Sequence, residues 1–214
     1  MGKSKKTQDN AAARAKAIEL ELLWVCKSLW LEGPLPRRAL APLVGRGRFE
    51  RAERFGFIVG VETRAGKLFT VGPEGRRALR LDDSTRPLPG ALEEGFARRV
   101  VAAGLLNGAK PKRQQDERGR MEQGRGVARL YVEESGLEVW LLVGLPDPSP
   151  ATLSRLVNQR AHGTPAMVVA ADPRRIAKWP LHSVIGFLWP DALPLVDPAV
   201  RPSLERVLKK RGYQ

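Results

Sequence analysis

Apolar residues recur at helical spacing near the start of the chain. Ile18, Leu22, Val25 and Leu29 follow one another at steps of four, three and four, predicting a helix over residues 11–32 that Gly33-Pro34 stops. Leu20, Trp24 and Leu31 make a second apolar stripe on another side of that helix. A helix apolar on two sides is expected to be covered on two sides. It is then either a deeply buried helix of one domain, or it packs its second stripe on the C-terminal half or on another subunit.

Two shorter helices are predicted next, Arg37 to Val44 and Arg48 to Phe55, separated by the turn Gly45-Arg46-Gly47, whose glycines tolerate positive φ. On the second of them Phe49, Ala52 and Phe55 fall on one face, and Glu50, Arg51 and Arg54 on the other. Arg48 lies nearer the apolar side, flanking the turn. Residues 56–61 (GFIVGV) and 67–71 (KLFTV) read as two strands around the turn Glu62 to Gly66, and Gly72-Pro73 opens a helix to about Leu81.

The stretches RFERAERFGFIVG and GKLFTVGPEGRRAL resemble the recognition helix, wing and closing helix of prokaryotic winged-helix DNA-binding domains, over residues 11–81. The resemblance implies contact with double-stranded DNA. Arg46, Arg51 and Arg54 would serve on the recognition helix, Arg37, Arg38 and Arg48 on the turn and preceding helix, and Arg64 and Lys67 on the wing. Winged helices also serve as protein-binding scaffolds, which is one alternative.

Residues 1–10 are polar and basic, an expected disordered tail, and residues 82–90 (DDSTRPLPG) read as a linker. Residues 91–214 are expected to form a second, α/β domain with a mixed sheet. Its elements are a helix from Ala91 to Leu106 with the stripe Leu92, Phe96, Val100 and Ala103, and a loop over 108–126. A hairpin of Val127–Val132 and Leu137–Leu145 follows, then a helix from Ser149-Pro150 to near Gly163 carrying Leu153, Leu156 and Val157. The remainder is a buried strand within Pro165–Ala171, a helical piece after Asp172-Pro173, a strand at Val184–Trp189, and a basic helix at Arg201–Arg211. The fold class is thus α+β.

The order in the second half resembles the restriction-endonuclease-like fold and, behind a winged helix, the plasmid replication-relaxation proteins. Nucleases of that fold place Glu-x-Lys on a strand to hold a metal and activate water. Here the matching strand reads Glu138-Val139-Trp140, with Glu133 and Glu134 nearby, so the lysine position is a tryptophan. A metal-dependent nuclease or nicking protein is therefore the alternative, and a non-enzymatic protein without cofactor or metal the expectation.

Charge favours the same partner. The chain carries a formal net charge of +14, and residues 1–90 hold 18 Lys/Arg against 10 Asp/Glu. So basic a chain points to a polyanion, DNA before an anionic membrane surface. Cys26 is the single cysteine, and His162 and His182 are the only histidines. An internal disulfide and a closed zinc site are both excluded, and a reducing, cytoplasmic, nucleoid-associated setting is expected. No Walker-type phosphate loop, signal peptide or membrane-spanning run is found. The expected role is transcription regulation, or replication or maintenance of a bacterial chromosome or mobile element. A homodimer is expected to form, where it forms, through the N-terminal helix or the C-terminal domain.

Overall fold

The computed structural model describes residues 19–81, 88–105, 110–111, 127–132, 137–145, 165–171 and 184–213. The expected basic tail, most of the linker, the hairpin turn with Glu133 and Glu134, and the helices expected after Ser149 and after Asp172 lie outside them. So does nearly all of the predicted 108–126 loop.

The architecture is mixed α+β. Helix α1 covers residues 19–32. There follow β1 (Leu35–Pro36), α2 (Arg37–Val44), α3 (Arg46–Arg54), β2 (Ile58–Thr63), β3 (Gly66–Val71) and α4 (Pro73–Ala78). The three strands form one antiparallel sheet in the order β1-β3-β2. The second half begins with α5 (Pro89–Leu105) and continues as β4 (Lys110–Pro111), β5 (Val127–Val132), β6 (Leu137–Val143), β7 (Ala166–Ala170) and β8 (Val184–Leu188). These five strands stand in chain order in one sheet, antiparallel from β4 to β6 and parallel from β6 to β8. Two short elements close the chain, α6 (Trp189–Ala192) and, after a 3-10 turn, α7 (Arg201–Lys210).

Several elements differ from expectation for local reasons. Gly45 alone makes the α2–α3 turn at φ 87°, and Arg46 and Gly47 already belong to α3. Because α3 stops at Arg54, Phe55 leaves the helical face and is 52% exposed instead of joining Phe49 and Ala52 in the core. Helix α5 starts at Pro89, inside the expected linker. Two-residue strands β1 and β4 are too short to show a period; β4 is an edge strand, where Pro111 is tolerated.

Helix α1 buries Leu22, Val25, Cys26 and Leu29. Of the second stripe, Leu20 is 61% and Trp24 52% exposed, whereas Leu31 is partly buried. The helix is therefore not buried all round among the described residues. The Cys26 thiol donates to the Phe57 carbonyl oxygen at 3.3 Å. Burial pushes its pKa up from 9.0 to about 12, so at neutral pH it stays a protonated hydrogen-bond donor.

Helix α5 joins the two halves. It touches β2 on one side and β6 on another, and buries Leu92, Phe96, Ala97, Val100 and Val101. One continuous apolar cluster runs from Leu22 and Phe49 through Phe96 to Leu141, Val169 and Leu204. At the α1–α5 crossing Gly33 takes φ 106°, and a Cβ there would come within 2.6 Å of the Gly95 carbonyl oxygen, so only glycine fits. Arg99 seals this crossing. It donates to the Gly33 carbonyl oxygen at 2.6 Å and pairs with Glu32 at 2.7 Å. Burial pulls the Arg99 pKa down, and the Glu32 carboxylate opposes that shift.

Candidate nucleic-acid interface

The glycine turn sets α2 and α3 against each other so that Leu40, Val44, Phe49 and Ala52 go inward. Their outer surfaces are left to form an open groove of about 720 Å³, lined by Arg37, Arg38, Ala41, Pro42, Gly45, Arg46 and Glu50. The fold thus brings together three of the eight arginines and lysines expected to meet DNA. Arg37 is partly fixed: its guanidinium lies 5.0 Å from the Phe49 ring centroid, and Glu50 approaches it at 3.9 Å. Phe49 in turn meets Phe69 edge-on at 4.9 Å, tying the groove wall to β3.

On α3, Arg46, Glu50 and Arg54 recur every fourth residue and are all exposed, which makes a stripe along the helix. Arg46 and Arg54 have no side-chain partner among the described residues. Arg48 and Arg51 turn toward α1 instead, where Glu21 pairs with Arg48 at 3.5 Å and with Arg51 at 3.1 Å. Arg51 Nε is buried without an acceptor among the described residues. Both pairs are half-exposed and so modest in strength, but they aim the two guanidiniums sideways, away from the stripe.

The hairpin positions Arg64 and Lys67 lie apart from the groove residues in environment. The Thr63 hydroxyl donates to the Gly66 carbonyl oxygen at 2.7 Å and accepts from the Ala65 amide at 3.1 Å, closing the turn. That turn is packed against the second half of the chain. Ala65 is buried, the Arg64 amide donates to Glu93 Oε1 at 2.8 Å, and Arg206 donates to the Ala65 carbonyl oxygen at 2.9 Å. The Arg64 side chain is exposed, and Lys67 reaches over the Phe69 ring at 5.6 Å.

Residues outside the expected set also reach this surface. Ser203 is buried at the start of α7, and its Oγ accepts from Arg38 Nη2 at 2.8 Å and from Arg206 Nη2 at 3.1 Å. The only sequence signal was the basic, amphipathic character of 201–211; nothing in it related Arg206 to Arg38, 168 positions away in the chain.

For the alternative chemistry, Trp140 is buried on β6 at the position where the nuclease pattern has lysine. Among the described residues no group of three or more His, Cys, Asp and Glu side chains could hold a metal ion, and no helix is long and apolar enough to cross a membrane. No protein-family model, curated protein or solved structure matches this chain.

Proposed function

We propose that residues 19–81 form a winged-helix module that binds double-stranded DNA, and that the protein is a non-enzymatic DNA-binding protein acting in transcription regulation or in the replication or maintenance of a bacterial chromosome or mobile element. One observation carries the reading: Arg37, Arg38, Arg46 and Arg54 are exposed on the outer surface of α2 and α3, where Glu50 is the only exposed carboxylate on the two helices and Glu53 is partly buried. Two helices meeting at a glycine and followed by an antiparallel hairpin are compatible with insertion of α3 in a major groove, and the arginines then reach phosphates and base edges. The net charge of +14 supports the same partner.

Within this reading Arg46 and Arg54 read the groove, and Arg51 has the lesser role because Glu21 already engages it. Fluorescence anisotropy with a labelled duplex tests this. Arg46→Ala with Arg54→Ala is expected to weaken binding more than about tenfold near 0.15 M salt, and to flatten the plot of log affinity against log salt by roughly two. Glu50→Gln is expected to tighten binding. An unchanged affinity and salt slope in the double variant would refute the assignment.

The second half is proposed to be non-catalytic, because a buried indole at Trp140 can neither carry a proton to water nor stabilise developing negative charge as a lysine does. Supercoiled plasmid incubated with the protein and Mg²⁺ or Mn²⁺ is expected to stay intact. Nicking that disappears in Glu138→Ala would reverse this conclusion.

A further inference from the structure

We propose that α7, in the second half of the chain, carries a further phosphate-binding position formed by Arg206 together with Arg38. The DNA backbone would then run from the α2–α3 groove onto the C-terminal helix. The proposal rests on the DNA-binding reading above and extends it to a residue outside the winged-helix segment.

The geometry is that of a pair of cations held without an anion. Arg38 and Arg206 each direct an Nη2 nitrogen at the same buried hydroxyl, Ser203 Oγ, at 2.8 and 3.1 Å. Two like charges are thereby held within roughly 6 Å of each other at their nitrogen ends, an arrangement that Coulomb repulsion opposes and an oxyanion between them relieves. Among the described residues neither guanidinium has a carboxylate within ion-pairing distance. Both acceptors that fix Arg206, Ser203 Oγ and the Ala65 carbonyl oxygen, are neutral. The remaining N–H groups of the two forks have no acceptor among the described residues. They are therefore oriented in advance and open to a ligand that accepts several hydrogen bonds and carries negative charge, as a phosphodiester does.

Position selects the backbone of the same duplex as that ligand. Arg38 lines the α2–α3 groove and also touches Ser203, so the Arg206 position begins where the groove ends. Lys210 lies one turn beyond Arg206 on the exposed side of α7 and continues the basic track. On this geometry the protein follows the duplex with elements from both halves of the chain.

Duplex binding across a salt series decides between a phosphate contact and a strut. Arg206→Gln removes the charge and keeps a polar, shorter side chain. It is expected to weaken binding roughly five- to tenfold and to lower the salt slope by about one. Lys210→Gln, whose side chain has no partner among the described residues and so no packing role there, is expected to lower the slope in the same direction by a smaller amount. If wild type binds duplex and Arg46→Ala with Arg54→Ala weakens it, while Arg206→Gln and Lys210→Gln keep the wild-type slope, the α7 site is refuted and the DNA-binding reading stands. If Arg206→Gln lowers only the melting temperature, Arg206 is a strut and the site is likewise refuted. Wild type that fails to bind duplex at low salt removes both.

Discussion

Glu93→Ala is expected to destabilise the protein by about 3 kcal/mol, a fall of roughly 6–12 °C in melting temperature for a chain of this size. Glu93 is only 2% exposed, yet it sits where three parts of the chain meet. Its Oε1 accepts the Arg64 amide of the β2–β3 turn at 2.8 Å, and its Oε2 accepts from Arg211 Nε at 3.3 Å and Nη2 at 2.9 Å. Arg211 also donates to the Leu145 carbonyl oxygen at 2.7 Å, two residues beyond β6. Removing the carboxylate leaves a largely buried guanidinium with only the more distant Glu94 carboxylate, at 3.9 Å, and takes the acceptor from the Arg64 amide, which is why the cost exceeds that of a surface pair. Urea denaturation should find Glu93→Ala worse than Glu93→Gln, which keeps an acceptor oxygen for the Arg64 amide. The double variant Glu93→Ala with Arg211→Met should be less destabilised than the sum of its parts. A loss under about 1 kcal/mol for Glu93→Ala would mean that water replaces the carboxylate at this junction.

Gly75→Ala is expected to cost about as much by a different route. Gly75 lies in α4 where that helix presses on α1 and on the entry to β2. A Cβ there would collide with the Phe57 carbonyl oxygen, stand 2.6 Å from Cys26 Sγ and 2.9 Å from Val71 Cγ1. Backbone cannot yield as a flexible side chain can, so the penalty should lie at or above the upper end of ordinary overpacking, about 3 kcal/mol. The Phe57 carbonyl is also the acceptor for the Cys26 thiol, so moving it breaks a partly buried hydrogen bond. Cys26→Ala removes one of the three obstructions. Added to Gly75→Ala, it should therefore cost less than it does alone in the wild-type background. Strict additivity in denaturation experiments would mean that the helix shifts as a whole and the named contacts are not the cause.

Much of the element order could be read from side-chain period alone. The strand at 127–132 falls at the expected residues, and the strands near 137, 166 and 184 and the helix from Arg201 lie within a few positions of theirs. Short apolar runs bounded by glycine, proline and charge have few other solutions. The helix at 89–105 was legible in its stripe of Leu92, Phe96 and Val100. Ala103 is exposed, however, and a second buried line runs through Glu93, Ala97 and Val101. No local rule places a glutamate in a core, because what keeps it there is an arginine 118 residues away.

The candidate surface divides in the same way. Composition and spacing suffice to establish that the chain is strongly basic, that its arginines cluster between Arg37 and Arg54, and that glycine interrupts the helical pattern there. Helical periodicity also separated Arg54 from the buried face of its helix. Which arginines stand together depends on how distant segments pack. Glu21 of α1 takes Arg48 and Arg51 to the side, Arg37, Arg38 and Arg46 line one groove, and Arg206 arrives at that groove's edge from the far end of the chain. The difference is one of range. Periodicity reports which side of an element faces the core, whereas a charge is paired or left open by whatever distant segment folds beside it.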